Sequence, residues 1–170
     1  MSAATVEIDE QNGAVGAPTL THNITNSNMG NTDAINLDPV AYPVLPGEFT
    51  YEKWQKIHVT SIGTSSKIDN LKIWRNGALG GAAVHLGNVK LSAYAGAPTY
   101  ATPIKTTSSI AINAMPSSVP ATANLGIGGS LTGSLVAAGS SDFLVHQIQT
   151  NAADTTGSTS TMNYQYDETA

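Results

Sequence analysis

Four histidines, His22, His58, His85 and His146, are the residues of this chain best suited to proton transfer or metal ligation. An imidazole titrates near neutral pH and offers a ring nitrogen to a divalent cation. A zinc site would need at least three of them to converge with a carboxylate, and no HxH or HExxH spacing places two on one local face. Each falls instead in a predicted strand or strand edge among apolar neighbours. Four separate strand-face histidines are therefore expected, with no metal site and no cofactor.

Other chemistries find less to work with. Serine is plentiful, but no G-x-S-x-G elbow would lift one out as a nucleophile. Asp9, Glu10, Glu48 and Glu52 could supply a carboxylate pair for glycoside hydrolysis, yet Glu48 and Glu52 beside Tyr51 and Trp54 read equally as a solvated approach to a strand. Asn26, Asn28, Asn31, Asp33, Asn36 and Asp38 are oxygen-rich, but they lack the frame and the distal glutamate of a calcium loop, so turn formation is their expected role. The glycines at 126, 128 and 129 are followed by no lysine, and the stretch is not a phosphate loop. No catalytic residue is assigned, and the chain is read as a non-enzyme.

The elements that position these residues are strands. In the stretch 51–74, Ile57 and Val59 alternate with His58 and Thr60, a Gly/Ser/Thr turn follows, and Leu71 and Ile73 alternate with Lys72 and Trp74. This pattern predicts an antiparallel hairpin with Ile57, Val59, Leu71 and Ile73 facing one core. The stretch 141–168 repeats it, with Phe143, Val145 and Gln147 against Leu144, His146 and Ile148, then Met162, Tyr164 and Tyr166 against Asn163, Gln165 and Asp167. Trp54 and Trp74 are read either as interface or as core residues.

Elsewhere the elements are shorter. Val6 and Ile8 form either an edge strand or part of an arm that reaches a neighbour, and Thr19 to Thr25, with Leu20, His22 and Ile24 alternating, reads as a strand. Three prolines within 39–47 forbid a central strand and favour an extended connection that carries Val40, Tyr42, Val44 and Leu45. Val89, Leu91 and Ala93 alternate as a further strand, and residues 109–113 form a short one. The expected fold is an all-β, antiparallel β-sandwich of about seven to nine short strands, Ig-like or jelly-roll-like. Residues 1–40 would be an N-terminal arm or edge strands, and residues 41–170 the sandwich domain.

Composition narrows the partners. The 170 residues suffice for one domain, and without cysteine there is neither a disulfide nor a thiolate ligand. Charged residues make up 11% of the chain, with seven Lys and Arg against twelve Asp and Glu and a net charge of −5. An average domain has about 25% charged residues. No basic run is present to track phosphates, so nucleic acid is not an expected partner. No apolar run approaches the about 18 residues of a membrane helix, and the opening MSAATVEIDEQNG has neither the basic nor the apolar region of a secretory signal. The chain is expected to be soluble, made in a cytoplasm and not membrane-bound. A surface polar through Ser, Thr, Asn and Gly can be covered by another protein with little charge desolvation.

Four strings then stand out together: Tyr51-Glu52-Lys53-Trp54, the run IDNLKIW at 68–74, the run SDFLVHQIQ at 141–149, and Tyr164-Gln165-Tyr166-Asp167-Glu168. In this order they resemble a group of tailed-bacteriophage virion structural proteins, over the chain from about Pro43 to the end. The resemblance implies a capsid decoration or cement protein on the outside of the shell, made in the host cytoplasm, binding the major capsid protein and forming a homo-oligomer on the capsid surface. It brings no catalytic residues. Val6, Ile8, Val40, Tyr42, Val44, Leu45, Trp54 and Trp74 are the expected partner-binding residues. The alternative is a carbohydrate- or receptor-binding sandwich on a phage tail or capsid surface, with Tyr51, Trp54, Trp74 or Tyr94 as its stacking platform.

Overall fold

A computed structural model describes residues 2–89, 96–154 and 160–170. These residues contain nine strands and no helix: β1 (Thr5–Asn12), β2 (Thr19–Thr21), β3 (Lys53–Ser61), β4 (Lys67–Asn76), β5 (Val84–Gly87), β6 (Asn113–Ala114), β7 (Gly139–Ser140), β8 (Leu144–Gln149) and β9 (Thr161–Thr169). A seven-stranded sheet has the order β2-β1-β3-β8-β5-β6, with β7 also paired to β3. β4 and β9 form a second sheet of two strands. All pairings are antiparallel, and the two sheets pack together as a β-sandwich.

Alternation decides which side chains meet between the sheets. Ile57 from β3 and Leu144 from β8 pack with Leu71 and Ile73 from β4, and Met162, Tyr164 and Tyr166 of β9 close the cluster from the second sheet. Val89, Met115, Leu125 and Ile127 complete it from the connections. The strand expected across residues 89–93 falls mostly on residues 90–95, outside the described residues. β4 breaks strict alternation at one place. Asn70 takes a positive φ of 53°, and the register to β9 slips between Asp69 and Lys72. This bulge lets Ile68 and Leu71, three positions apart, both be buried.

The expected hairpins are not hairpins. β3 bonds to β1, β7 and β8, whereas β4 bonds to β9, so the connection at 62–66 carries the chain from one sheet to the other. β8 and β9 are split in the same way. Alternation specifies a buried face and says nothing about which strand supplies the hydrogen bonds, so an arch between sheets and a hairpin within one read alike. The N-terminal backbone seals the first arch. Gly63 has φ 64°, a Cβ built on it would lie 2.3 Å from the Ser2 carbonyl oxygen, and that oxygen accepts from the Thr64 N–H at 3.0 Å.

Residues 1–40 are not a separate arm. β1 is an inner strand bonded along most of its length to β3, and β2 lies at the edge. The loop that follows is tied in by Lys53 Nζ donating to the Ala34 carbonyl at 2.6 Å and by the Tyr51 N–H donating to Gly30 at 3.0 Å. Of the short strand expected at 109–113 only Asn113 lies in a strand, β6, and Ile110 and Ile112 do not. Residues ahead of it cover the outer face of the large sheet instead, where Ala111, Ile110 and Tyr100 pack on Trp54, Phe143 and Val145.

Candidate functional site

The structure divides the expected partner-binding residues between core and surface. Trp54 has no exposed surface, and Tyr100 and Phe143 meet its ring edge-on with centroids 5.2 and 5.4 Å away. Its indole N–H donates to Glu52 Oε2 at 3.2 Å, and the Ser108 hydroxyl donates to the other oxygen of the same carboxylate. Glu52 is therefore a buried anchor for the covering segment and not a solvated residue. Val6 and Ile8 are half-buried and pack against the main core from within β1. Trp74 is half-buried, with its N–H donating to Asn76 at 3.2 Å. Of the stacking platform considered for a glycan, Trp54 is enclosed, Tyr51 and Trp74 are half-buried, and Tyr94 lies outside the described residues.

What remains on the surface is the proline-rich segment. Val40 is 86% exposed, Leu45 58% and Tyr42 44%, with Val44 half-buried between them. The backbone that carries them is held at several points. The Val40 N–H donates to Asp38 Oδ1 at 2.9 Å, the Tyr42 N–H to the Asp38 carbonyl at 3.0 Å, and the Asn31 N–H to the Tyr42 carbonyl at 3.2 Å. At the far end the Thr150 hydroxyl donates to the Leu45 carbonyl at 3.2 Å. The Glu48 carboxylate is held below its ordinary pKa by Lys105, 3.0 Å away, and then by the Leu45 N–H. Apolar side chains are thus presented on a preformed backbone. The Asn/Asp loop beside it uses its side chains for turns: Asn36 Oδ1 accepts from the Thr25 N–H at 2.6 Å, and Asn26 Oδ1 from the Asn28 N–H at 3.0 Å.

The four histidines are not separate. They form two pairs, one on each side of the large sheet. On the outer face, His22 and His58 meet Glu7 and Asp9, with ring centroids 5.2 Å apart. His22 Nδ1 lies 2.8 Å from Asp9 Oδ2 and 3.6 Å from Glu7 Oε1, and His58 Nδ1 lies 2.9 and 3.0 Å from the same two atoms. Glu7 and Asp9 share a face because they are two apart on β1, and His58 sits directly opposite Glu7 on β3. The E-x-D spacing was legible, but the strand register that adds two histidines was not.

On the inner face a hydrogen-bonded chain crosses the sandwich. Lys53 Nζ is 2.7 Å from Glu10 Oε1, and Gln55 Nε2 donates to Glu10 Oε2 at 2.8 Å. The side-chain oxygen Oε1 of Gln55 then accepts from the Tyr164 hydroxyl at 3.2 Å and from His146 Nε2 at 3.1 Å. His146 Nδ1 is left as an acceptor, so His85 Nε2, 2.9 Å away, carries the proton between them. Burial holds both rings neutral. It pushes His85 down to about 4, with a smaller contribution from Arg75, and pushes His146 well below the ordinary range, aided by His85 and Lys53. Burial likewise pushes the Tyr164 phenol up to about 12. A buried chain of this kind, with an ion pair at one end and two neutral imidazoles at the other, specifies how the sheets pack.

Comparison with protein-family models, with curated proteins and with solved structures found no match for this chain.

Proposed function

We propose that the protein is a non-catalytic structural component of a tailed-phage virion, a decoration or cement protein that binds the outside of the capsid shell through the segment 39–47. The observation that carries this reading is that Val40, Tyr42 and Leu45 are exposed within six positions of one hydrogen-bonded, proline-rich backbone, whereas the other exposed large apolar side chains, such as Val15, Ile112 and Val136, lie far apart in the chain. Its partner would be the major capsid protein, and it would act in many copies as a homo-oligomer.

The physical logic is linkage. A protein that binds assembled shell and not dissociated subunits stabilises the shell in proportion to its occupancy. Each apolar Å² removed from water contributes about 25 cal/mol, and a backbone already fixed by prolines and hydrogen bonds loses little freedom on docking. Low charge density keeps the cost of desolvation small.

The test is addition of purified protein to shells that lack it. Wild type should bind at saturable, high copy number and raise the temperature at which the shells release their contents. The double variant Val40→Ser/Leu45→Ser should keep the wild-type unfolding midpoint but bind more weakly by about tenfold or more, because two exposed aliphatic side chains are lost from the contact. Undiminished binding by the variant would move the contact elsewhere on the domain. Shells of unchanged robustness at full occupancy would remove the cement role.

A further inference from the structure

We propose that Glu7, Asp9, His22 and His58 form a binding site for one divalent transition-metal ion of the Zn2+ class on the outer face of the large sheet. The proposal does not depend on the virion reading.

Geometry is the first argument. Zinc is bound at about 2.0–2.2 Å by imidazole nitrogen and carboxylate oxygen. In a tetrahedron of such bonds the ligand atoms stand roughly 3.3 Å apart, about 1.6 times the bond length. The four nitrogen–oxygen separations here are 2.8, 2.9, 3.0 and 3.6 Å, and all four ligand atoms lie within 4.8 Å of one another. Shifts of a few tenths of an ångström would suffice to centre an ion.

Hydrogen bonding accounts for the arrangement less well. Both rings present the same atom, Nδ1, and each Nδ1 can carry one proton. Two protons would have to serve four close contacts, whereas one cation would satisfy all four ligand atoms. Charge points the same way. Glu7 and Asp9 bring two negative charges, Asp9 is buried, and no lysine or arginine pairs with either among the described residues. A divalent ion with two neutral imidazoles balances that charge exactly once, without requiring either ring to be protonated.

The surroundings are those of a built site. The Asn23 N–H donates to the second oxygen of Asp9 at 3.3 Å, orienting the carboxylate as outer-shell partners do. Asn23 reaches that position through a left-handed backbone, φ 51°, directly after His22. The His22 side chain is 56% exposed while Asp9 is 3% exposed, so the site has a solvent door and a fixed floor. Two nitrogens and two oxygens suit zinc or its neighbours. The set has no thiolate for copper(I) and too few oxygens for calcium. A bound ion would tie the end of β2 to β1 and β3, clamping the edge of the sheet.

The test uses the full chain, stripped with a chelator, and titrates it with ZnCl2, with CoCl2 as a spectroscopic probe and MgCl2 as control. The expected result is one Zn2+ per chain, an unfolding midpoint that rises with Zn2+ and not with Mg2+, and the intense visible absorption of four-coordinate Co2+. His22→Gln and His58→Gln are the chosen variants because both side chains reach solvent and neither belongs to a core. Each should fold as wild type and lose more than the about 10–100-fold in affinity that loss of an outer-shell partner alone would cost. Absence of heat, midpoint shift and Co2+ absorption would overturn the proposal and leave the cluster as an ion pair only. So would binding that survives in the His22→Gln/His58→Gln double variant, since the ion would then sit elsewhere.

Discussion

Two asparagines do work at the residue scale that normally needs a strand. Asn124 has no exposed surface, and its amide accepts from the Ile73 N–H at 2.8 Å while donating to the Ile73 carbonyl at 2.7 Å. Asn88 does the same at β8, donating to the Phe143 carbonyl at 2.7 Å and accepting from the Val145 N–H at 3.0 Å. A side-chain amide has the same donor and acceptor as a peptide group, so each satisfies a strand edge that would otherwise be buried unpaired. Asn124→Ala should cost about 2–4 kcal/mol in urea unfolding, since two buried backbone groups lose their partners. A loss below about 1 kcal/mol would mean that water reaches that edge.

His85 sets the other prediction at this scale. The groups around the inner chain are Arg75, Lys53, Glu10, His146 and Tyr164, and burial is the main reason that His85 titrates at about 4 instead of 6.5. Between those pH values the unfolded chain holds a proton on this residue that the folded chain does not. Stability therefore falls as pH falls through that window, with a slope of about 1.4 kcal/mol per pH unit from this residue. His85→Gln keeps a donor for His146 and removes the titration. Its stability should drop less than that of wild type between pH 6.5 and pH 4, and parallel curves for the two proteins would exclude the assignment.

At the scale of elements, β1 is the unexpected piece. The alternation of Val6 and Ile8 with Glu7 and Asp9 marks a two-faced strand, and the structure uses both faces: the apolar one against the core and the acidic one toward His22 and His58. Further along the inner face, two positions after Ile8, Glu10 is buried with Lys53 and Gln55. Deleting residues 1–16 should therefore not leave a folded domain. It removes an inner strand, strands a buried lysine without its carboxylate and opens the arch at Gly63. Loss of the cooperative unfolding transition is the expected outcome, and a truncated chain that unfolds like wild type would show that β1 is dispensable.

At the scale of the whole molecule, the two sheets are unequal, seven strands against two, and the excess is covered by connections instead of further strands. The segment that carries Tyr100, Ile110 and Ala111 closes the outer face over Trp54, where Ser108 caps the Ile110 and Ala111 N–H groups at 3.1 and 2.9 Å. Gln147 pins the same segment by donating to the Thr106 carbonyl at 2.7 Å and accepting from the Ser108 N–H at 3.2 Å. This is how a chain with few charged residues buries tryptophan on the side of a sheet away from its main core. Val40, Tyr42 and Leu45, on which the proposed contact rests, are among the large apolar side chains that stay exposed.

The sequence by itself determined the class and the inward faces. Period-two alternation assigned Ile57, Val59, Leu71 and Ile73 to the interior, and all four are buried. It separated Leu144 from Phe143 and Val145, which indeed enter different cores. These features are local, because the side of a strand on which a residue lies follows from its neighbours. Pairing is not local. Only the tertiary structure decided that β3 and β4 belong to different sheets, that the first strand lies inside the large sheet, and that Trp54 is enclosed by residues nearly fifty positions away or more. The histidines make the same point most plainly. Nothing near His22 announces His58 or Glu7, and only the register of β1 against β3, with β2 alongside, brings four ligand atoms within reach of one ion.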